Sequence, residues 1–124
     1  MTKKILVVDD SRTIRQLVSV TLKDIGYDVI EAVDGVDGLL KLDANADTAL
    51  VLCDVNMPNK SGLEMLSDMK SASVPSTVPV VMLTTESQLE MLKAAKLAGA
   101  VGWIVKPFKG PLFVAAVRKL IGDG

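Results

Sequence analysis

Short apolar runs alternate with longer amphipathic stretches along this chain, and the alternation predicts the elements. Lys4-Ile5-Leu6-Val7-Val8 is unbroken and rich in β-branched residues, as in a strand buried on both faces. Asp9-Asp10 ends it, and Ser11 is suited to cap a helix. Ile14, Leu17, Val18, Thr21, Leu22 and Ile25 then recur at helical spacing, and Gly26 can close the helix. Tyr27 to Ala32 reads as a second strand and Asp34-Gly35 as a turn. Val36 to Leu42 reads as a short helix weakened by Gly38. Ala49 to Cys53 is a third buried strand stopped by Asp54. A loop from Val55 to Gly62 leads to a helix on Leu63, Leu66 and Met69. Pro75 and Pro79 make residues 71–79 a loop. Val80 to Thr84 is a fourth strand, followed by a helix on Leu89, Leu92, Ala95 and Ala98 that ends at Gly99. Val101 to Val105 is a fifth strand stopped by Lys106-Pro107, and the last helix uses Leu112, Phe113, Ala116, Val117 and Leu120.

These are five strand–helix units of about 25 residues, the length of repeated βαβ crossovers. Right-handed crossovers with helices on both faces predict an α/β fold: an open, doubly wound, five-stranded parallel sheet with five helices. No linker, low-complexity stretch or repeat interrupts the pattern, so residues 1–124 read as one domain.

Composition narrows the chemistry. Aromatics are only 3% of the chain, so the core must be aliphatic. A net charge of -1 with so few aromatics argues against nucleic acid as a partner. The chain has no histidine, which excludes imidazole bases, His-based triads and most zinc sites. Cys53 is the single cysteine and sits on a buried strand, so it reads as a small hydrophobe in a reducing compartment. The apolar run after Met1-Thr2-Lys3-Lys4 is too short for a signal peptide or a membrane span, so no membrane partner and a cytoplasmic location are expected.

In such a sheet ligands bind outside the carboxyl ends of the strands. Asp9-Asp10, Asp54, Thr84 and Lys106 all fall there, from positions scattered along the chain. Two carboxylates 4 Å apart repel by about 4 kcal/mol at an effective dielectric near 20. Lys106 supplies one positive charge, and a divalent cation is the natural remainder. Hard carboxylate oxygens without His or thiolate suit magnesium. Asp54 could then attack phosphorus and form an aspartyl phosphate, with Lys106 and Thr84 set to neutralise and hydrogen-bond the transferred oxygens. Taken singly these residues have plainer roles: Asp9, Asp10 and Asp54 as strand-end polar caps, Thr84 as a helix cap, and Glu86 as a first-turn acid.

The motifs Val7-Val8-Asp9-Asp10-Ser11, Cys53-Asp54-Val55-Asn56-Met57-Pro58, Gly62-Leu63-Glu64, Leu83-Thr84 and Val105-Lys106-Pro107-Phe108 decide between these readings together. In this order the chain resembles a response-regulator receiver domain, of the stand-alone chemotaxis type, over essentially its whole length. The resemblance implies a flavodoxin-like sheet in the order 2-1-3-4-5. It implies Asp54 as phosphoacceptor, Asp10, Asp54 and the Asn56 backbone carbonyl as direct Mg2+ ligands, and Asp9 acting through a metal-bound water. Lys106 would pair with Asp54 before phosphorylation and with the phosphoryl group afterwards. Thr84 and Trp103 would be the switch residues, although a strand tryptophan is more often buried core. A cis bond between Lys106 and Pro107 would aim the lysine. Asn56, Thr85 and Glu86 would tune loss of the phosphoryl group.

By the same resemblance a histidine kinase of chemotaxis type is the phosphodonor, and a phosphatase is a further partner. The face of helix 4, strand 5 and helix 5 would exchange an output protein, with the chain itself a monomer. With no DNA-binding domain in the sequence, output is expected through protein binding. Two departures matter. Thr85 stands where the family usually has a smaller residue, and is expected to crowd the pocket. The segment Glu86-Ser87-Gln88-Leu89-Glu90 lacks the lysine pair of members that bind the flagellar motor switch, leaving Lys93, Lys96 and Lys109 nearby; this argues against that partner. The competing readings are a phosphate sink or passive scaffold, an aspartate-nucleophile phosphohydrolase faintly suggested by Asp9-x-Ser11-x-Thr13, and a flavin binder. The acidic loop after strand one disfavours the flavin.

Overall fold

The computed structural model describes residues 2–71, 77–106 and 110–121, with the side chains at 86, 87 and 89 excepted. The elements run β1 (Lys4–Val8), α1 (Arg12–Asp24), β2 (Asp28–Ala32), α2 (Gly35–Ala44), β3 (Thr48–Asp54), α3 (Gly62–Ser71), β4 (Val80–Thr84), a 3-10 stretch (Glu86–Met91), α4 (Leu92–Leu97), β5 (Gly102–Val105) and α5 (Gly110–Ile121). All five strands are parallel, in the order β2-β1-β3-β4-β5. The parallel sheet is the one expected from the alternation of elements, and its flavodoxin-like order is the one the family resemblance implied.

The strands are apolar on both faces because helices cover both. Leu6, Val8, Val51, Cys53 and Met82 point to one side and pack with Met65, Leu66, Met69 and Leu92 of α3 and α4. Ile5, Val7, Leu50, Leu52, Val81 and Leu83 point to the other and pack with Val18 and Leu22 of α1 and Phe113 and Val117 of α5. Each fully buried aliphatic side chain contributes about 1.5–3 kcal/mol, so the two layers hold the strand ends in register. Among the described residues no helix is long and apolar enough to cross a membrane.

Several boundaries differ from the pattern, each for a local reason. The second strand starts at Asp28 rather than Tyr27 because the Tyr27 N–H caps α1. It donates to the Leu22 carbonyl at 3.1 Å while Gly26, at φ 99, donates to Lys23 at 3.0 Å. This double bond pattern closes a helix onto a left-handed residue. Gly99, at φ 108, closes α4 in the same way, and the fifth strand accordingly starts at Gly102. Helix α2 is longer than expected. Asp34 is its N-cap rather than part of a free turn, accepting the Asp37 N–H at 2.8 Å. Gly38 lies against the Met65 thioether, and a Cβ there would stand 2.9 Å from its sulfur, so a larger residue would make that side chain move. Asp54 is the last residue of β3 rather than a stop beyond it. The helix expected from Leu89 begins instead as the 3-10 stretch, and α4 has no side-chain cap.

Candidate functional site

β1 and β3 lie side by side, and the chain leaves their carboxyl ends toward opposite edges of the sheet. A crevice opens where such connections diverge. Asp9 follows β1 and is fully buried, Asp10 beside it is exposed, and Asp54 ends β3 at 6% exposure. One carboxylate oxygen from each of these three acids lies within 4.8 Å of the others. Thr84 ends β4 and is fully buried; Lys106 follows β5, its N–H donating to the Thr84 carbonyl. Four strand ends thus deliver the acids, the hydroxyl and the ammonium to one place.

The Lys106 ammonium bridges two of the acids, 2.9 Å from Asp9 Oδ2 and 3.5 Å from Asp54 Oδ1. The expected pair was with Asp54, yet Asp9 takes the shorter contact. Asp9 is the more buried carboxylate and has the greater need of a counter-charge. Its other oxygen accepts the Ser11 N–H at 2.9 Å, so both oxygens have a partner. Ser11 caps α1 through its hydroxyl, as expected, while its N–H serves the acid pocket. Burial, and next the Asp9 charge, push the Asp54 carboxyl up to about 6, against the pull of Lys106. Burial and then the Asp54 charge raise the Cys53 thiol far above its ordinary range, so it stays an inert thiol beside the Met65 sulfur.

The donor set fits a magnesium ion. All three side chains offer hard oxygen, and the ammonium leaves part of their charge uncompensated. Asn56 lies exposed in the loop after Asp54, where its backbone carbonyl belongs to the same end of β3. Thr84 does not cap the following helix; its hydroxyl donates to the Thr85 carbonyl at 3.1 Å. Thr85, next in the chain, is half-buried, with its N–H donating to Gln88 Oε1 at 3.0 Å. Trp103 is 50% exposed on β5, opposite Met82 of β4, and is not core. The Lys106–Pro107 bond, Phe108, Lys109 and the Glu86 side chain lie outside the described residues.

Some contributors were not foreseen. Arg15 Nη1 donates to the Asp9 backbone carbonyl at 2.7 Å, and its Nε lies 3.4 Å from Glu31 on the neighbouring strand. The available signal was an arginine four residues after the Ser11 cap, in the first turn of the helix that follows the acid pair. A Cβ at Gly62 would come within 2.1 Å of the Asp54 carbonyl oxygen, so only glycine lets α3 start this close to the site. Ser61 and Glu64 exchange N–H bonds at 3.1 and 3.0 Å in a capping box that starts the same helix. The Ser-x-x-Glu spacing was the signal.

The family profile described as response regulator receiver domain matches residues 5–118. The chain belongs to the receiver domain family. Among curated relatives of this receiver, chemotaxis protein CheY1 of Helicobacter pylori is 42% identical over 121 residues, covering 96% of this chain and 97% of that protein. The CheY homolog of Campylobacter jejuni is 37% identical, over 98% of this chain and 94% of its own. The solved structure of chemotaxis protein CheY4 of Vibrio cholerae superposes with a TM-score of 0.88 at 39% identity, over 97% of this chain and 99% of that one. As a receiver domain, this chain is a signalling phosphoacceptor, switched by phosphorylation.

Proposed function

We propose that Asp54 takes a phosphoryl group from a chemotaxis-type histidine kinase in a magnesium-dependent reaction, and that the new charge resets the face made by α4, β5 and α5. The observation that carries this reading is the buried Asp54 carboxylate beside Asp9, Asp10 and the Lys106 ammonium. An Asp54 oxygen attacks phosphorus as the bond to the donor imidazole nitrogen breaks, and that nitrogen keeps the electron pair. Asp10, Asp54 and the Asn56 carbonyl would hold the Mg2+ directly, with Asp9 acting through water. The ion supplies charge neutralisation for the phosphoryl oxygens. Lys106 sits within reach of the same oxygens and stabilises their developing charge. Thr84 can turn its hydroxyl from the Thr85 carbonyl to the phosphoryl group, since the present bond is local. Trp103, half-exposed on β5, would then turn inward behind it.

The exposed residues of that face favour an effector over a phosphate sink. Leu97 is 90% exposed, Val101 52%, Trp103 50% and Val105 36%, a grouping a passive store would not need. Lys93 and Lys96 are exposed on the same helix, so an output protein with an acidic apolar segment fits better than nucleic acid. The flagellar motor switch stays the weaker choice of partner, given the missing lysine pair. Asn56, Thr85 and Glu86 are proposed to tune the lifetime, with Thr85 restricting a phosphatase. Residues 1–124 would act as one monomeric receiver in the cytoplasm. The relatives named above as chemotaxis proteins support a chemotaxis role.

Intact-mass measurement after treatment with magnesium and acetyl phosphate tests the phosphoacceptor. One phosphate is expected on the wild type and none on Asp54→Ala. Equal labelling of both would overturn the assignment, and sustained turnover of small phosphate esters would favour a hydrolase instead.

A further inference from the structure

We infer that Asp34 and Asn59 are positioning residues for the acid site: together they clamp the loop after Asp54 onto the start of α2 and so fix the Asn56 carbonyl. This rests on the phosphoacceptor reading and deepens it. The loop, residues 55–61, is anchored first at its root. Val55 is buried, its N–H donates to the Leu83 carbonyl at 3.2 Å, and its own carbonyl accepts the Gly62 N–H at 3.0 Å. Met57 is buried in the core layer that includes residues of α3 and α4.

The far half of the loop is held differently. The Lys60 N–H donates to the Pro58 carbonyl at 2.7 Å, which makes Asn59 the centre of a three-residue turn with φ 66. Such turns are rare and strained, and persist where their surroundings over-determine them. The surroundings here are the first turn of α2. Asn59 Nδ2 donates to Asp34 Oδ2 at 2.7 Å, and the Gly35 N–H donates to the Lys60 carbonyl at 3.0 Å. A Cβ at Gly35 would stand 2.6 Å from that carbonyl oxygen, so the approach needs glycine. Beyond it, the Lys60 ammonium pairs with Asp68 of α3.

The Asp34 carboxylate is therefore shared between two elements. It is 8% exposed; Oδ1 caps α2 through the Asp37 N–H and Oδ2 takes the Asn59 amide. The Asp37 bond first, and then Asn59, hold its carboxyl below the ordinary range, so it meets the amide as an anion. Asn56 lies between the root and this clamp. With the clamp released, the strained turn relaxes and the direction of the Asn56 carbonyl is no longer set. Groups that orient a metal ligand typically alter affinity 10–100-fold when lost.

The test measures Mg2+ affinity of the full chain by calorimetry, alongside the acetyl phosphate labelling rate at saturating Mg2+. Asn59→Gly suits the left-handed backbone and removes only the side-chain bond. It should fold normally, weaken Mg2+ binding about tenfold and leave the saturated rate within about twofold. Asn59→Asp sets two carboxylates face to face. Its added negative charge alone would favour a cation, so weaker binding there has to come from the broken clamp. The reciprocal exchange D34N/N59D swaps donor and acceptor, keeps the wild-type net charge and retains an α2 cap, and should restore affinity. Wild-type affinity in both single variants would overturn the clamp alone, as would failure of the exchange to recover it. A wild type that neither binds Mg2+ nor takes a phosphoryl group would overturn the phosphoacceptor reading, and the clamp with it.

Discussion

A carboxylate that attacks phosphorus has to be ionised, and burial at Asp54 works against ionisation. In the metal-free protein its carboxyl is raised from 3.8 to about 6. Below about pH 4 the group is protonated in both folded and unfolded chains, and costs nothing. As pH rises toward 6 the unfolded chain gives up that proton first, so stability falls, and the full cost is present above the folded value. The shift corresponds to about 3 kcal/mol. Asp54→Asn without metal should therefore melt higher than wild type at pH 7, by ~9–15 °C, with the difference closing toward pH 4. A pH-independent difference in thermal melts would show that another group sets the cost. At this scale the residues of the site were legible, because each ends an apolar run. Their pairing was not: the preference of Lys106 for Asp9 follows from relative burial, which no spacing encodes.

At the scale of the element, the starts and ends of helices carry the site. Asp54 can sit at the root of α3 because Gly62 leaves room for its carbonyl. Gly62→Ala should cost about 2–4 kcal/mol, since backbone rather than a flexible side chain has to move. Gly110 has nothing within 4 Å of a built Cβ, so Gly110→Ala at the start of α5 should be neutral or stabilise by up to about 1 kcal/mol. Urea denaturation of the two variants checks the contrast. Strands and α-helices were readable from strand-like apolar runs and helical spacing. Boundaries moved where one backbone group served two elements, as the Tyr27 N–H does in capping α1 instead of opening β2. The 3-10 start before α4 escaped the pattern because apolar spacing does not distinguish the two helix types over a single turn. The Asp34–Asn59 clamp escaped it because its halves lie 25 residues apart and each looks like ordinary turn chemistry.

For the whole molecule, the acid cluster is a standing cost of the apo fold, and a cation that binds only the folded chain offsets it. Free magnesium at a hundredfold excess over its dissociation constant should stabilise the protein by about 2.7 kcal/mol, seen as a rise in melting temperature. No rise in wild type would overturn metal binding by the acid cluster, and an equal rise in Asp10→Ala would place the metal elsewhere. The sheet order was accessible through motif resemblance, since the run of strands alone does not say which neighbours which. The same order has a consequence during synthesis. The ammonium that meets Asp9 stands 97 residues later in the chain. A nascent receiver on the ribosome therefore carries Asp9, Asp10 and Asp54 long before β5 and Lys106 emerge from the exit tunnel. Until then the pocket is an unneutralised acidic crevice beside an unpaired β4 edge. On the proposed reading, a chain ending before β5 lacks the ammonium that meets Asp9 and Asp54, and should take up phosphate from a small donor more slowly than the full chain.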